Sequence, residues 1–87
     1  MASHARKLSK SVHSPAQQAF RRLMIKARKQ VKLTQRQLAK RLGKPQSFVA
    51  KYEGGERRLD VIEFINVVRA IGSDPARLIK TLLREMA

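Results

Sequence analysis

Four helix caps and one Gly-Lys-Pro break divide this chain into five segments, each repeating apolar residues at three- and four-residue spacing. Punctuation of this kind leaves room for short helices and little else. Ser14 precedes Pro15 with Gln17 three residues on from the cap, and Ala16, Ala19, Phe20, Leu23, Met24, Ala27 and Val31 follow at helical intervals, which predicts a first helix over about 15–31. Thr34 and Gln37 form a second capping box, with Leu33 placed to staple against Leu38, so a second helix is expected over about 35–42. Gly43 supplies the left-handed residue that ends it, and Pro45 favours the first turn of a third helix over about 45–53. Gly54 and Gly55 open a polar loop, after which Leu59, Asp60, Glu63 and Phe64 repeat the cap, box and staple for a fourth helix over about 61–71. That helix is apolar around much of its circumference and is expected at the centre of the domain. Gly72 ends it, Asp74 and Pro75 start a fifth, and Leu78, Ile79, Leu82, Leu83 and Met86 form one stripe along it. No strand and no internal repeat is expected.

Residues 15–87 are accordingly read as a single all-α domain of five helices. Residues 1–14 are basic, serine-rich and without apolar periodicity, which is the composition of a flexible arm. From 87 residues one small domain is expected, without a separate ligand-sensing domain. The chain has no cysteine, so disulfides, thiolate metal sites and cysteine nucleophiles drop out together. Its histidines, His4 and His13, both lie in the arm, so neither a metal site nor any other cofactor is expected. No apolar run approaches the roughly 20 residues that cross a bilayer, and a cytoplasmic protein is the expectation.

Charge narrows the partner. The chain carries 20 Lys and Arg against 6 Asp and Glu, a net +14. Residues 1–52 hold 14 basic residues and no acid, whereas 53–87 hold 6 of each, so the whole imbalance sits in the first part. A stretch of one sign on this scale is an electrostatic footprint for a polyanion.

Two short helices joined at Gly43 make a helix-turn-helix, a shape that presents its second helix to the major groove of DNA. At about 100° per residue, Gln46, Ser47, Ala50 and Lys51 share one face of the third helix, and Phe48, Val49 and Tyr52 share the opposite one. The first face is short, polar and uncrowded. The capped start of the second helix, at Thr34 and Gln35, offers backbone N–H groups to a phosphate oxygen.

The segment from Leu33 to Ile79 resembles the lambda-repressor and Cro-like (xenobiotic-response-element type) helix-turn-helix family, and the resemblance covers about residues 19–83. It is carried by Leu33-Thr34-Gln35 at the start of the second helix, Leu38-Ala39 within it and Gly43 in the turn. Val49 and Tyr52 on the inner face of the third helix and Glu53 before the glycine-bearing loop complete it. The resemblance implies a compact five-helix DNA-binding fold in which Gln46, Ser47 and Lys51 face base edges. It also implies that Gln35, Lys44 and the loop after the third helix touch the sugar-phosphate backbone. Where the family usually has a Ser or Thr cap this chain has Pro45, so a cap for the third helix is expected from elsewhere. Gln46 can bond adenine N6 and N7 bidentately, Lys51 can reach guanine O6 and N7, and Ser47 can serve a base or a phosphate. Lys40, Arg41, Lys44, Arg57 and Arg58 suit phosphates, and Arg6, Lys7 and Lys10 of the arm suit the backbone or the minor groove.

Each residue has a plainer role to set beside the functional one. Phe48 can meet a thymine methyl, but its position on the wheel favours partial burial; Tyr52 is a core residue before it is a stacking platform. Glu53 is expected as a structural carboxylate near the basic loop, and the capping box accounts for Asp60 and Glu63 without catalysis. The fifth helix either closes the monomer's core or pairs with a second copy through Leu78, Leu82, Leu83 and Met86. The leading function is a double-stranded DNA-binding transcriptional regulator, a homodimeric repressor occupying a palindromic operator, with no enzymatic activity and no membrane partner. A bacterial or phage setting is implied by the family, with a toxin among the possible protein partners. The alternatives are a coactivator similar to multiprotein-bridging factors, which link other proteins with little DNA specificity, and a membrane-surface binder using the basic first helix.

Overall fold

The computed structural model describes residues 13–87. They form five helices, α1 (Pro15–Gln30), α2 (Gln35–Leu42), α3 (Gln46–Glu53), α4 (Val61–Ile71) and α5 (Pro75–Met86), with no strand among the described residues. The side-chain caps act as their chemistry requires, except that Gln17 does not complete the box expected at Ser14; Pro45 departs further. The hydroxyls of Ser14 and Thr34 accept from the N–H of Gln17 and Gln37, and the Asp60 carboxylate accepts from Glu63 N–H, with the reciprocal half of the box present at Thr34 and Asp60.

Pro45 is not in the first turn of α3 but at its cap, with extended backbone (φ −68°, ψ 155°), and no side chain caps that helix. A proline brings no hydroxyl or carboxylate to the helix end, and no other side chain substitutes for it. The end of α1 also falls earlier than the apolar pattern suggests. Val31 leaves the helix, Lys32 turns left-handed (φ 60°), and the Arg28 guanidinium donates to Leu33 O at 2.7 Å, holding the reversal in place. Val31 is therefore exposed rather than part of the inner stripe.

The core is drawn from all five helices, with Met24, Leu38, Val49, Tyr52, Val67 and Val68 at its densest part. Phe20 of α1 and Phe64 of α4 pack as tilted rings 5.6 Å apart. α4 is central through Phe64, Val67, Val68 and Ile71, yet its apolar circumference is not all enclosed: Val61 and Ile62 are 66% and 63% exposed. Ile62 points away from the buried face, and Val61 lies in the first turn, beyond the packed layer.

One polar network crosses this core. Arg28 and Glu53, 7% and 8% exposed, pair through two parallel bonds, Nε to Oε2 at 2.8 Å and Nη2 to Oε1 at 2.9 Å. Gln35 Nε2 donates to the same Oε1 at 2.9 Å. Three helices thus meet at one carboxylate. The bond to Glu53 raises the Arg28 pKa above its ordinary value, outweighing the desolvation that works against the charge.

Tyr52 poses the opposite case. Its hydroxyl is buried without a hydrogen-bond partner among the described residues, and burial pushes the phenol pKa upward, with the Glu53 charge adding to the shift. A buried hydroxyl with no partner contributes nothing that its removal forfeits. Tyr52→Phe is therefore expected to leave stability unchanged or to raise it by up to about 1 kcal/mol, read from the denaturant midpoint. A loss of more than about 1 kcal/mol would mean that the hydroxyl is bonded in solution. The folded state keeps this phenol protonated while the unfolded chain ionises it near its ordinary value of 10.0. Stability is accordingly lost as pH rises through that value, and the Phe variant should lack this part of the alkaline slope.

Candidate nucleic-acid interface

Gly43 joins α2 to α3 in left-handed backbone (φ 66°, ψ 30°), its N–H meeting the carbonyls of Ala39 and Lys40. A Cβ at this position would meet nothing within 4 Å, so the backbone angle and not crowding calls for glycine. The turn leaves α3 resting on the core through Val49 and Tyr52, both buried, while Gln46, Ser47, Ala50 and Lys51 are all exposed. The face expected to read bases is thus presented as one open polar surface. α3 has no side-chain cap, and within its first turn the Phe48 N–H is met by Pro45 O at 3.0 Å.

Phe48, half-buried between the two faces, organises cations around itself. Lys44 Nζ lies 5.6 Å from its ring centroid and the Arg57 guanidinium 4.8 Å from it, and Tyr52 meets the ring edge-on at 5.7 Å. Arg57 is further held by Glu63, Nη2 lying 3.0 Å from Oε2 and 3.2 Å from Oε1. The loop after α3 is folded back on that helix, since Glu56 and Arg57 both donate backbone N–H to Lys51 O. Glu63 has a second task beyond the capping box, and only the folded loop reveals it.

The remaining backbone-contact candidates are differently disposed. Thr34 is engaged in its capping box through both Oγ1 and N–H. Gln35 turns its amide inward to Glu53, so its contribution at the surface is the backbone N–H at the start of α2. Lys40 and Lys44 are exposed. Arg41 reaches across to Ala70 O at 2.9 Å, and Arg58 is exposed but engaged within the protein. Arg6, Lys7 and Lys10 lie outside the described residues. Glu53 is structural as expected, but its partner is Arg28 of α1 rather than the basic loop. Arg28 is the residue that the sequence analysis passed over, although its place four residues after Met24, on the buried stripe of α1, was a signal that its charge needs a partner.

On α5 the apolar stripe divides. Leu78, 7% exposed, belongs to the core and Leu82 packs partly against it, whereas Ile79, Leu83 and Met86 are exposed. No helix among the described residues is long and apolar enough to cross a membrane.

A helix-turn-helix family model matches residues 24–78, which spans α2, α3 and α4 and most of the core. The chain is also similar to an XRE-family like protein from Pseudomonas syringae pv. tomato, at 47% identity and a TM-score of 0.81, over 87% of this chain and 93% of that one. A search among curated proteins finds no match. With the fold, the turn at Gly43 and the open face of α3 in agreement with both, the chain belongs to the XRE, lambda-repressor-like helix-turn-helix family of DNA-binding transcriptional regulators.

Proposed function

We propose that this protein is a sequence-specific repressor that binds as a homodimer to a palindromic operator, with α3 in the major groove. The observation that carries the proposal is the segregation along α3, where every residue of one face is polar or small and exposed while Val49 and Tyr52 on the other are sealed into the core. Gln46, Ser47 and Lys51 supply base contacts there, while Lys40, Arg41, Lys44, Arg57, Arg58 and the first-turn N–H groups of α2 grip phosphates. Thr34 and Gln35 position those N–H groups, and Arg6, Lys7 and Lys10 extend the grip along the duplex. Dimerisation uses the exposed Ile79, Leu83 and Met86 on α5, with Leu82 beside them and Leu78 beneath them as support. Two copies then read two half-sites about one helical turn apart. Such a protein acts in the cytoplasm of a bacterium, alone or with a partner such as a toxin.

Selection of bound duplexes from a random pool tests the proposal. A short inverted repeat preferred by about 10³-fold over random DNA at physiological salt is the expected result. Recovery of unrelated sequences would instead favour a bridging factor with little DNA specificity.

The Glu63 to Arg57 pair gives a separate expectation. A phosphate must compete with Glu63 for this guanidinium, and the carboxylate itself repels DNA. Glu63→Gln keeps a capping-box side chain and removes the charge. Affinity for all duplexes is expected to rise by about two- to fivefold at low salt, the worth of a partly exposed ion pair, without change in the preferred sequence. Weaker binding in a salt-titrated gel shift would show that Glu63 holds Arg57 in its working position.

A further inference from the structure

The basic surplus extends beyond the helix-turn-helix. Arg22, Lys26 and Lys29 are exposed on α1 and, at 100° per residue, fall on one face of it. Beside them a cleft of about 400 Å³ opens between the second half of α1, the turn before α5 and α5 itself. Its floor is formed by Leu23, Ala27, Ile71 and Leu78, each less than a tenth exposed, and the exposed Val31 adds apolar surface at its edge within an otherwise largely polar lining. Its rim carries Lys26 from one helix and Arg77 from the other. Neither cation has an ion-pair partner among the described residues, and none of the lining residues is acidic. The cleft shares no residue with α2, α3 or the loop after α3.

We propose that this cleft docks an acidic segment of a partner protein, which seats one apolar anchor on the floor and sets carboxylates against Lys26 and Arg77. The volume suits one or two side chains, at the small end of ligand sites. Cations spaced along α1 from Arg22 to Lys29 match a run of carboxylates better than a single compact anion. A second copy of this chain fits poorly. Its 6 acidic residues are dispersed, with Glu53 buried against Arg28 and Asp60, Glu63 and Asp74 occupied in helix caps. On α5, moreover, Arg77 and Thr81 face the cleft, while Ile79, Leu83 and Met86 lie across the buried seam of Leu78 and Leu82. Pairing through that apolar face leaves the cleft open. The inference does not rest on the DNA reading.

Fluorescence anisotropy of the full chain with a labelled peptide of Glu and Asp around a central Leu-Phe pair tests it. Replacing that pair with two serines at equal charge is expected to weaken binding by about tenfold, as is the double variant Lys26→Gln, Arg77→Gln, whose residues are both exposed. Saturating random duplex should leave the peptide bound, with an affinity changed by no more than about twofold. Displacement of the peptide by duplex would overturn the proposal, because the peptide would then sit on the DNA face. Equal binding of the serine peptide would overturn it as diffuse attraction between polyions. No binding at about 1 mM peptide would do the same, and so would conversion of a dimer to monomer by the double variant in sedimentation.

Discussion

Glu53→Ala is expected to cost about 3–5 kcal/mol of folding free energy, the penalty for leaving a buried charge without its partner. Arg28 would keep its bond to Leu33 O but lose both bonds to the carboxylate, and Gln35 would lose the carboxylate oxygen that accepts from its amide. Domains of this size have about 5–15 kcal/mol in total, so the variant stands near the edge of folding. A second variant keeps the expectation decidable. Arg28→Met with Glu53→Leu removes both charges and their desolvation together, and should recover most of the loss. Urea denaturation of the two proteins checks this. A single variant within about 1 kcal/mol of the parent would show that water reaches the pair and screens it. A double variant no better than the single would show that the network contributes geometry, not charge balance, where α1, α2 and α3 meet.

The second large effect concerns recognition. Gln46→Ala, Ser47→Ala and Lys51→Ala together are expected to abolish the roughly 10³-fold preference for an operator, since each good base contact is worth about 1–3 kcal/mol of discrimination. Random-sequence binding should fall much less. Only Lys51 among the three carries charge, and the phosphate-directed cations are untouched. The substitutions should leave helix content and melting unchanged, because all three side chains are exposed and none is capping a helix. A triple variant that selects the same duplexes as the parent would remove α3 as the reading element.

The outcomes along the chain sort by the range of the forces involved. The caps at Ser14, Thr34, Asp60 and Asp74 were legible because a cap is chemistry between residues two or three apart, and the structure has every one of those bonds. Gly43 and Gly72 were legible for the same reason, as each ends its helix in left-handed backbone. Pro45 was misplaced by one position because the rule that puts proline in the first turn speaks of tolerance, not of requirement. Val31 and Ile62 obey the apolar periodicity or adjoin it, yet they are exposed, since periodicity says which residues can be buried and not whether a neighbour covers them.

The interface shows the same division. The exposed face of α3 followed from angular spacing, which any helix obeys. That Gln35 faces Glu53, that Arg41 bonds Ala70 O and that Arg57 lies between Phe48 and Glu63 did not follow, because a list of basic residues does not say which are already engaged.

Helix number, the side-chain-capped helix starts and the net positive charge are properties of neighbouring residues and of composition, and the amino-acid order alone determined them. The tertiary structure decided which cations are committed within the protein and which remain open, as at Lys26 and Arg77. It also decided that Arg28 and Glu53 should meet across 25 residues of chain. The physical reason is that long-range pairing depends on where packed helices bring side chains together, and close packing of the core sets those distances after the local bonds have formed.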